Sequence, residues 1–138
     1  MTSTLTDAQV NVYADDLEAL ALFYRALGMD ERFRFPATGA AEHIEVSVGT
    51  FTLGLTSREA LTRLTGLATE QGPSQSEVVL WCNDVAALFE KAQQCGASAL
   101  VPPKVFNGRI EAAWVQDPEG NRVKLVASVE PENTLTDA

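Results

Sequence analysis

The sequence is poor in the residues from which many functional sites are built. Its 138 residues contain a single histidine, His43, so no cluster of imidazoles can gather round a metal within one chain. The two cysteines, Cys82 and Cys95, lack the close Cys or His neighbours of a zinc site, and one pair in a chain this long is no disulfide framework. Both read as reduced, buried, small apolar residues. Positive charge is also scarce. Ten Lys+Arg face 19 Asp+Glu, a formal net charge of -9, which disfavours nucleic acid or an anionic membrane surface as partner and admits a neutral or cationic small ligand more easily. The plainer account of the same charge is solubility. Long apolar runs are missing: "VVLWC" and "LALF" fall far short of the roughly 20 residues of a membrane span, and "MTSTLTDAQV" lacks a basic region followed by an apolar stretch. The expected setting is the cytoplasm. No Ser/His/Asp or Cys/His arrangement stands out, and the loops "ATGAAE" and "TGLATEQG" lack phosphate-binding spacing.

What the sequence does contain is a repeat. Slid against itself by 68 residues, "QVNVYADDLEAL" lies over "EVVLWCNDVAAL" without a gap, so that Val10 meets Val78, Tyr13 meets Trp81, Asp16 meets Asp84, Leu20 meets Leu88 and Gly28 meets Gly96. Such a run implies an internal duplication. Each copy begins with period-two alternation, the mark of a strand with one buried face, and changes to helical spacing after an acidic residue. In the first, Leu17, Leu20, Phe23, Tyr24 and Leu27 share one helical stripe, Asp15 and Glu18 form a capping-box pattern, and Gly28 is the stop. In the second, Asn83 or Asp84 caps "VAALFEKAQQCG" and Gly96 ends it. Strand candidates "MDERFRF", "EHIEVSV" and "TFTLGLT" follow the first helix, and "SALVPP", "RIEAAWVQ" and "RVKLVAS" the second. The expected fold is α+β: a β-α-β-β-β module at residues 1–56, a partly helical, then Gly/Pro/Ser-rich linker at 57–75, a second module at 76–130 and a flexible tail at 131–138, together one structural domain.

A doubled unit of this kind, with "DLEALALFYRALG" in one half and "FNGRIEAAWVQDPEGNRVKLV" in the other, resembles the vicinal oxygen chelate superfamily: glyoxalase I, bleomycin-resistance proteins, fosfomycin-resistance enzymes and extradiol dioxygenases. The most specific parts are Asp16-Leu17, Phe23-Tyr24 and Leu27-Gly28 at their spacing, and the turn Asp117-Pro118-Glu119-Gly120-Asn121. The resemblance implies two curved sheets enclosing a cleft. In metal-dependent members it also implies four ligands, one from the first and one from the last strand of each module. Those positions fall here on Gln9, Gly54, Glu77 and Lys124. Only Gln9 and Glu77 carry lone pairs suited to a metal, and a protonated Lys offers none and repels a divalent ion. The expectation is therefore a site without metal or other cofactor, in which the Lys124 ammonium stands where the metal would sit and Glu77 neutralises it. The alternative is that Lys124 runs along the sheet to solvent.

Strand alternation anchored on these positions sends Gln9, Asn11 and Tyr13 to the cleft, with Glu77, Val79 and Trp81 from the twin strand. Val10, Val12, Val78, Leu80 and Cys82 should then lie beneath the helices. Trp114 shares a face with Lys124 if the hairpin register is right, and is core if it is off by one residue. Glu45 and Ser47 alternate with Ile44, Val46 and Val48, which makes Glu45 the best stray candidate for a general base or for contact with a cationic ligand. His43 reads as a surface residue, and Arg109 and Arg122 as rim residues. Aromatic surface, amides and an ion pair suit a planar aromatic or heteroaromatic ligand. The leading expectation is a metal-independent binding protein of the bleomycin-resistance type that sequesters such a compound, for example an antibiotic, as a homodimer implied by the resemblance. The alternatives are a metal-free isomerase, lyase or cyclase using Lys124, Glu77, Glu45 or Tyr13, and a metal enzyme with Gln9, Glu77 and Glu45 as nonstandard ligands.

Overall fold

The computed structural model describes residues 3–4 and 6–129, so the expected tail lies outside it. The described chain forms β1 (Val10–Ala14), α1 (Leu17–Leu27), β2 (Asp30–Phe35), β3 (His43–Val48), β4 (Phe51–Ser57), α2 (Arg58–Thr65), β5 (Glu77–Trp81), α3 (Val85–Gln94), β6 (Ser98–Phe106), β7 (Ile110–Gln116) and β8 (Arg122–Ser128). These divide into two compact units, Met1–Glu70 and Gln71–Ala138. Each holds one four-stranded sheet, ordered β1-β4-β3-β2 in the first unit and β5-β8-β7-β6 in the second. In both, the first strand runs parallel to the last and the remaining pairs are antiparallel. The architecture is the doubled α+β unit read from the repeat.

The helices begin where the repeat placed an acid in both copies. Asp16 accepts a hydrogen bond from the Ala19 amide at 3.1 Å, and its repeat partner Asp84 accepts from Ala87 at 3.0 Å, so each satisfies one of the free donors of a first helical turn. This corrects the expected Asp15 and Glu18 box: Glu18 reaches out instead to Arg34 on β2, whose guanidinium also holds Glu31 at 2.9 Å. Gly28 ends α1 at a φ of 119°, a conformation that costs a side chain 1–2 kcal/mol or so. In α3 the cap is Cys95, and Gly96 takes the left-handed position one residue later.

One face of each sheet packs on its helices. In the first unit Leu20, Phe23 and Tyr24 of α1 are buried with Ile44, Val46, Leu53 and Leu55 of β3 and β4, each such side chain contributing about 1.5–3 kcal/mol of transfer free energy. The Phe23 and Tyr24 rings meet edge to face at 5.0 Å. In the second unit Val85 and Ala92 of α3 are buried with Ala113, Val115, Val123 and Leu125. Val78 and Leu80 are buried as the alternation required, but Val10 is 52% exposed at the start of β1, and Cys82 and Cys95 are half-buried free thiols rather than core residues. The β6 strand is longer than "SALVPP" suggested. Pro102 and Pro103 donate no ladder bonds, yet they sit on an edge strand within a register shift between Val101 and Lys104, where that loss is tolerated. The strand then continues to Phe106 and turns through Asn107 and Gly108, both at positive φ, with the Arg109 amide on the Phe106 carbonyl at 3.1 Å before Phe106 pairs with Ile110.

Candidate functional site

The opposite face of each sheet carries the residues singled out by the repeat, and the pairing register orders them. In the first unit Asn11 pairs with Gly54, Gly54 with Glu45 and Glu45 with Phe33, which makes a row across the sheet. In the second unit the same steps join Val79, Lys124, Trp114 and Val101. Asn11 and Val79 are repeat partners, so Gly54 is equivalent to Lys124, and Glu45 to Trp114. The same lattice therefore holds two different chemistries.

In the first unit that chemistry is a chain of hydrogen bonds. The Gln9 amide donates to Asn11 Oδ1 at 3.0 Å and to Glu45 Oε2 at 3.1 Å. Glu45 Oε2 also meets His43 Nε2 at 2.9 Å, and His43 Nδ1 lies 3.0 Å from Thr56 Oγ1. The hydrogen bond with His43 holds the Glu45 carboxyl below the usual carboxylate range; partial burial opposes it and the Gln9 amide supports it. A carboxylate held in this way is a weaker base. His43, expected at the surface, is half-buried, and the Phe33 ring lies 6.2 Å from it. Gly54 has a steric reason: a Cβ there would collide with Asn11 Oδ1 and stand 2.9 Å from both Asn11 Cγ and Gln9 Nε2. Ser47 is buried and its hydroxyl accepts from Arg32 at 3.0 Å. Tyr13 shares the face through its pairing with Thr56 and is 39% exposed.

The second unit builds an aromatic and cationic cluster. Trp114 and Lys124 are direct cross-strand partners, which places Trp114 on the Lys124 face and not in the core. The Lys124 ammonium lies 5.5 Å from the centre of the Trp114 ring, within the range of a cation–π contact. Phe106 meets Trp114 edge to face at 5.8 Å, and Lys104 stands 5.4 Å from the centre of Phe106. Glu77 accepts from Trp114 Nε1 at 3.3 Å. The expected Glu77–Lys124 ion pair is not among the ion pairs of the described residues, because each partner is engaged by the indole instead. Leu100, Val101, Lys104, Phe106, Trp114 and Arg122 line an open cavity of about 570 Å³. Trp81 lies on the same face at the end of β5, 67% exposed, and Arg109 is exposed in the β6–β7 turn, its side chain without a partner among the described residues.

The strand positions that hold a divalent ion in metal-dependent relatives do not fit one here. Gly54 offers no donor and its space is filled by the Asn11 amide. Gln9 turns its NH2 toward Glu45, Lys124 is an ammonium over an indole, and Glu77 is bonded to Trp114. Among the described residues no three His, Cys, Asp or Glu side chains come together as a metal-holding group.

Lys104, Phe106 and His43 were missed as site residues in the sequence. For the first two the signal was present: counting back by twos from the "NG" turn puts Phe106 and Lys104 on one face, once the double proline is read as a bulge and not as a strand end. His43 shared a strand with Glu45 at a spacing of two, which was the only hint that they face the same way.

Solved structures with this fold span different names. The chain is similar to a hypothetical protein, SA1046, from S. aureus (TM-score 0.78, 22% identity, covering 91% of this chain and 95% of that one). It is similar to a glyoxalase-related enzyme from Fulvimarina pelagi (TM-score 0.74, 25% identity, 89% and 88%). A lactoylglutathione lyase from Agrobacterium tumefaciens matches at a TM-score of 0.65 and 18% identity, covering 90% and 95%. No curated protein matches the chain. The model of the Glyoxalase/Bleomycin resistance protein/Dioxygenase superfamily matches residues 8–125, and the chain belongs to that superfamily.

Proposed function

We propose that the chain is a metal-independent small-molecule-binding protein of the bleomycin-resistance type, which sequesters an aromatic or heteroaromatic compound such as an antibiotic. The observation that carries this reading is the direct pairing of Lys124 with Trp114 beside the 570 Å³ cavity. A volume of that order suits a small organic ligand, and aromatic walls bind planar rings through offset or edge contacts. Tyr13 and Trp81 add exposed aromatic surface on the corresponding faces. The same reading carries a homodimer, supported by the exposed Val10, Phe33 and Phe35 of the first unit, which light scattering tests. The test of function is a panel of aromatic antibiotics and metabolites, scored by quenching of the tryptophans and by recovery of each bound compound. Binding with full recovery is expected; turnover of the tightest binder refutes sequestration.

One observation favours a second reading, a metal-free acid–base enzyme such as an isomerase, lyase or cyclase. The Thr56–His43–Glu45 chain orients an imidazole with a carboxylate, an arrangement that supports proton transfer. It moves the acid–base role from Lys124, Glu77 or Glu45 to His43. Turnover lost in His43→Gln, with ligand binding kept, is the outcome that selects it.

A further inference from the structure

The cations of the two units differ in their pairing. All five arginines of the first unit, Arg25, Arg32, Arg34, Arg58 and Arg63, stand within 4.0 Å of a carboxylate. The five cations of the second unit, Lys91, Lys104, Arg109, Arg122 and Lys124, have no carboxylate ion-pair partner among the described residues, and three of them gather at its cavity. Lys104 and Arg122 line the apolar cavity, and Lys124 stands over the indole that forms part of its wall. In a chain of net charge -9 this is a local reversal of sign. Like charges collected without counterions repel one another, and a small anion placed among them gains attraction from all three. Glu77 is held at this wall on the indole nitrogen.

We infer that the second unit's cavity takes an aromatic anion, a planar ring carrying a carboxylate or sulfonate. The ring lies against Trp114, Phe106, Leu100 and Val101, and the anionic group is met by Arg122 and Lys104. Arg122 can offer a carboxylate two parallel N–H donors, whereas Lys104 acts as a point charge. This reverses the expectation drawn from net charge, because a ligand responds to the charges that line its site before it responds to the total. The inference rests on the proposed aromatic-binding function and names its ligand class.

Three probes of one shape separate the two claims: 2-naphthoate, 2-naphthylmethanol and 2-naphthylmethylammonium, each measured by equilibrium dialysis against the full chain at low and high salt. The naphthoate should bind about three- to tenfold tighter than the alcohol at low salt, the advantage shrinking as salt rises. Arg122→Gln and Lys104→Gln should each lower the naphthoate's affinity by more than they lower the alcohol's, so that the ratio of the two falls. Both residues are exposed, and unchanged near-UV circular dichroism confirms that the variants fold. Equal binding of acid and alcohol, or tightest binding of the ammonium, overturns the anion inference and leaves the aromatic reading standing. A naphthoate preference untouched by both substitutions overturns the assignment to this cavity. Failure of all three probes to bind overturns both.

Discussion

Replacing Asp117 tests how the second unit holds its site in register. Asp117 is 3% exposed at the head of the turn into β8. Its Oδ1 accepts from the backbone amides of Glu119 and Asn121, both at 2.9 Å, and from the Asn121 side chain at 3.1 Å, while Oδ2 takes a second contact with that side chain at 2.9 Å. Gly120 closes the turn at a φ of 88°, with its amide on the Asp117 carbonyl. Asp117→Ala deprives two backbone donors of their acceptor at once. Hydrogen bonds to a charged group are worth about 1.5–3 kcal/mol each, but Glu119 and Asn121 are half-exposed and water recovers part of the loss, so the expected cost is about 2–4 kcal/mol. Asp117→Asn keeps one carbonyl oxygen for the two amides and sets an NH2 against the Asn121 NH2, for an expected cost of about 1–2 kcal/mol. Urea unfolding followed by tryptophan fluorescence measures the difference, since Trp81 and Trp114 both lie in the second unit. With a slope near 2 kcal/mol per molar, the alanine variant's midpoint should fall by roughly 1–2 M. A loss below about 1 kcal/mol, or an asparagine variant as damaged as alanine, refutes the account of the turn.

Gly54→Ala should change stability by less than about 1 kcal/mol, because the colliding atoms are the ends of the exposed Asn11 and Gln9 side chains, while the Gln9 and Asn11 amide resonances shift; a loss above 2 kcal/mol or so refutes that reading. Acid should weaken the first unit. Glu31, held by Arg34, and Glu45, held by His43, have pKa values below the usual range, so each contributes stability that is present above its unfolded pKa near 4.3 and is lost as pH falls through the folded value. Denaturation midpoints measured down to pH 3 should fall less steeply in Glu45→Gln than in the parent chain. Purified protein should carry no stoichiometric divalent metal, and chelation should leave ligand affinity unchanged; one removable metal per chain, with binding lost on removal, refutes metal independence.

The fold was legible because it is written twice. Apolar alternation, an acid and a helical stripe recur at the same offset, and each constrains the other, so β1 and β5, α1 and α3 follow from local pattern. Details that depend on choosing between adjacent residues were less secure. Asp15 and Asp16 both suit a helix start, and geometry chose Asp16, which frees Glu18 for Arg34. The face of Trp114 depended on hairpin register, which the residues of the turn fix only once its hydrogen bonds are known. Lys104 and Phe106 were hidden by two prolines that look like a strand's end but occupy an edge, where ladder donors are not needed.

The equivalence of the two rows explains why carrying over single positions was informative about what the site lacks and uninformative about what it contains. At the position shared by Gly54 and Lys124, one copy has no side chain and the other a long, charged one. The neighbours changed to suit: beside Gly54 an amide folds into the vacated space and reaches the network of Gln9 and Glu45, and beside Lys124 the carboxylate position is an indole that receives the ammonium on its face. Each exchange is intelligible only with its cross-strand partner. A lysine opposite a glutamate would have made an ion pair, whereas opposite a tryptophan it leaves positive charge at an apolar wall. The two copies of one lattice therefore differ in these rows and in their neighbours: beside Glu45, His43 completes an oriented imidazole–carboxylate pair, and beside Trp114, Lys104, Phe106 and Arg122 complete a cationic aromatic cavity.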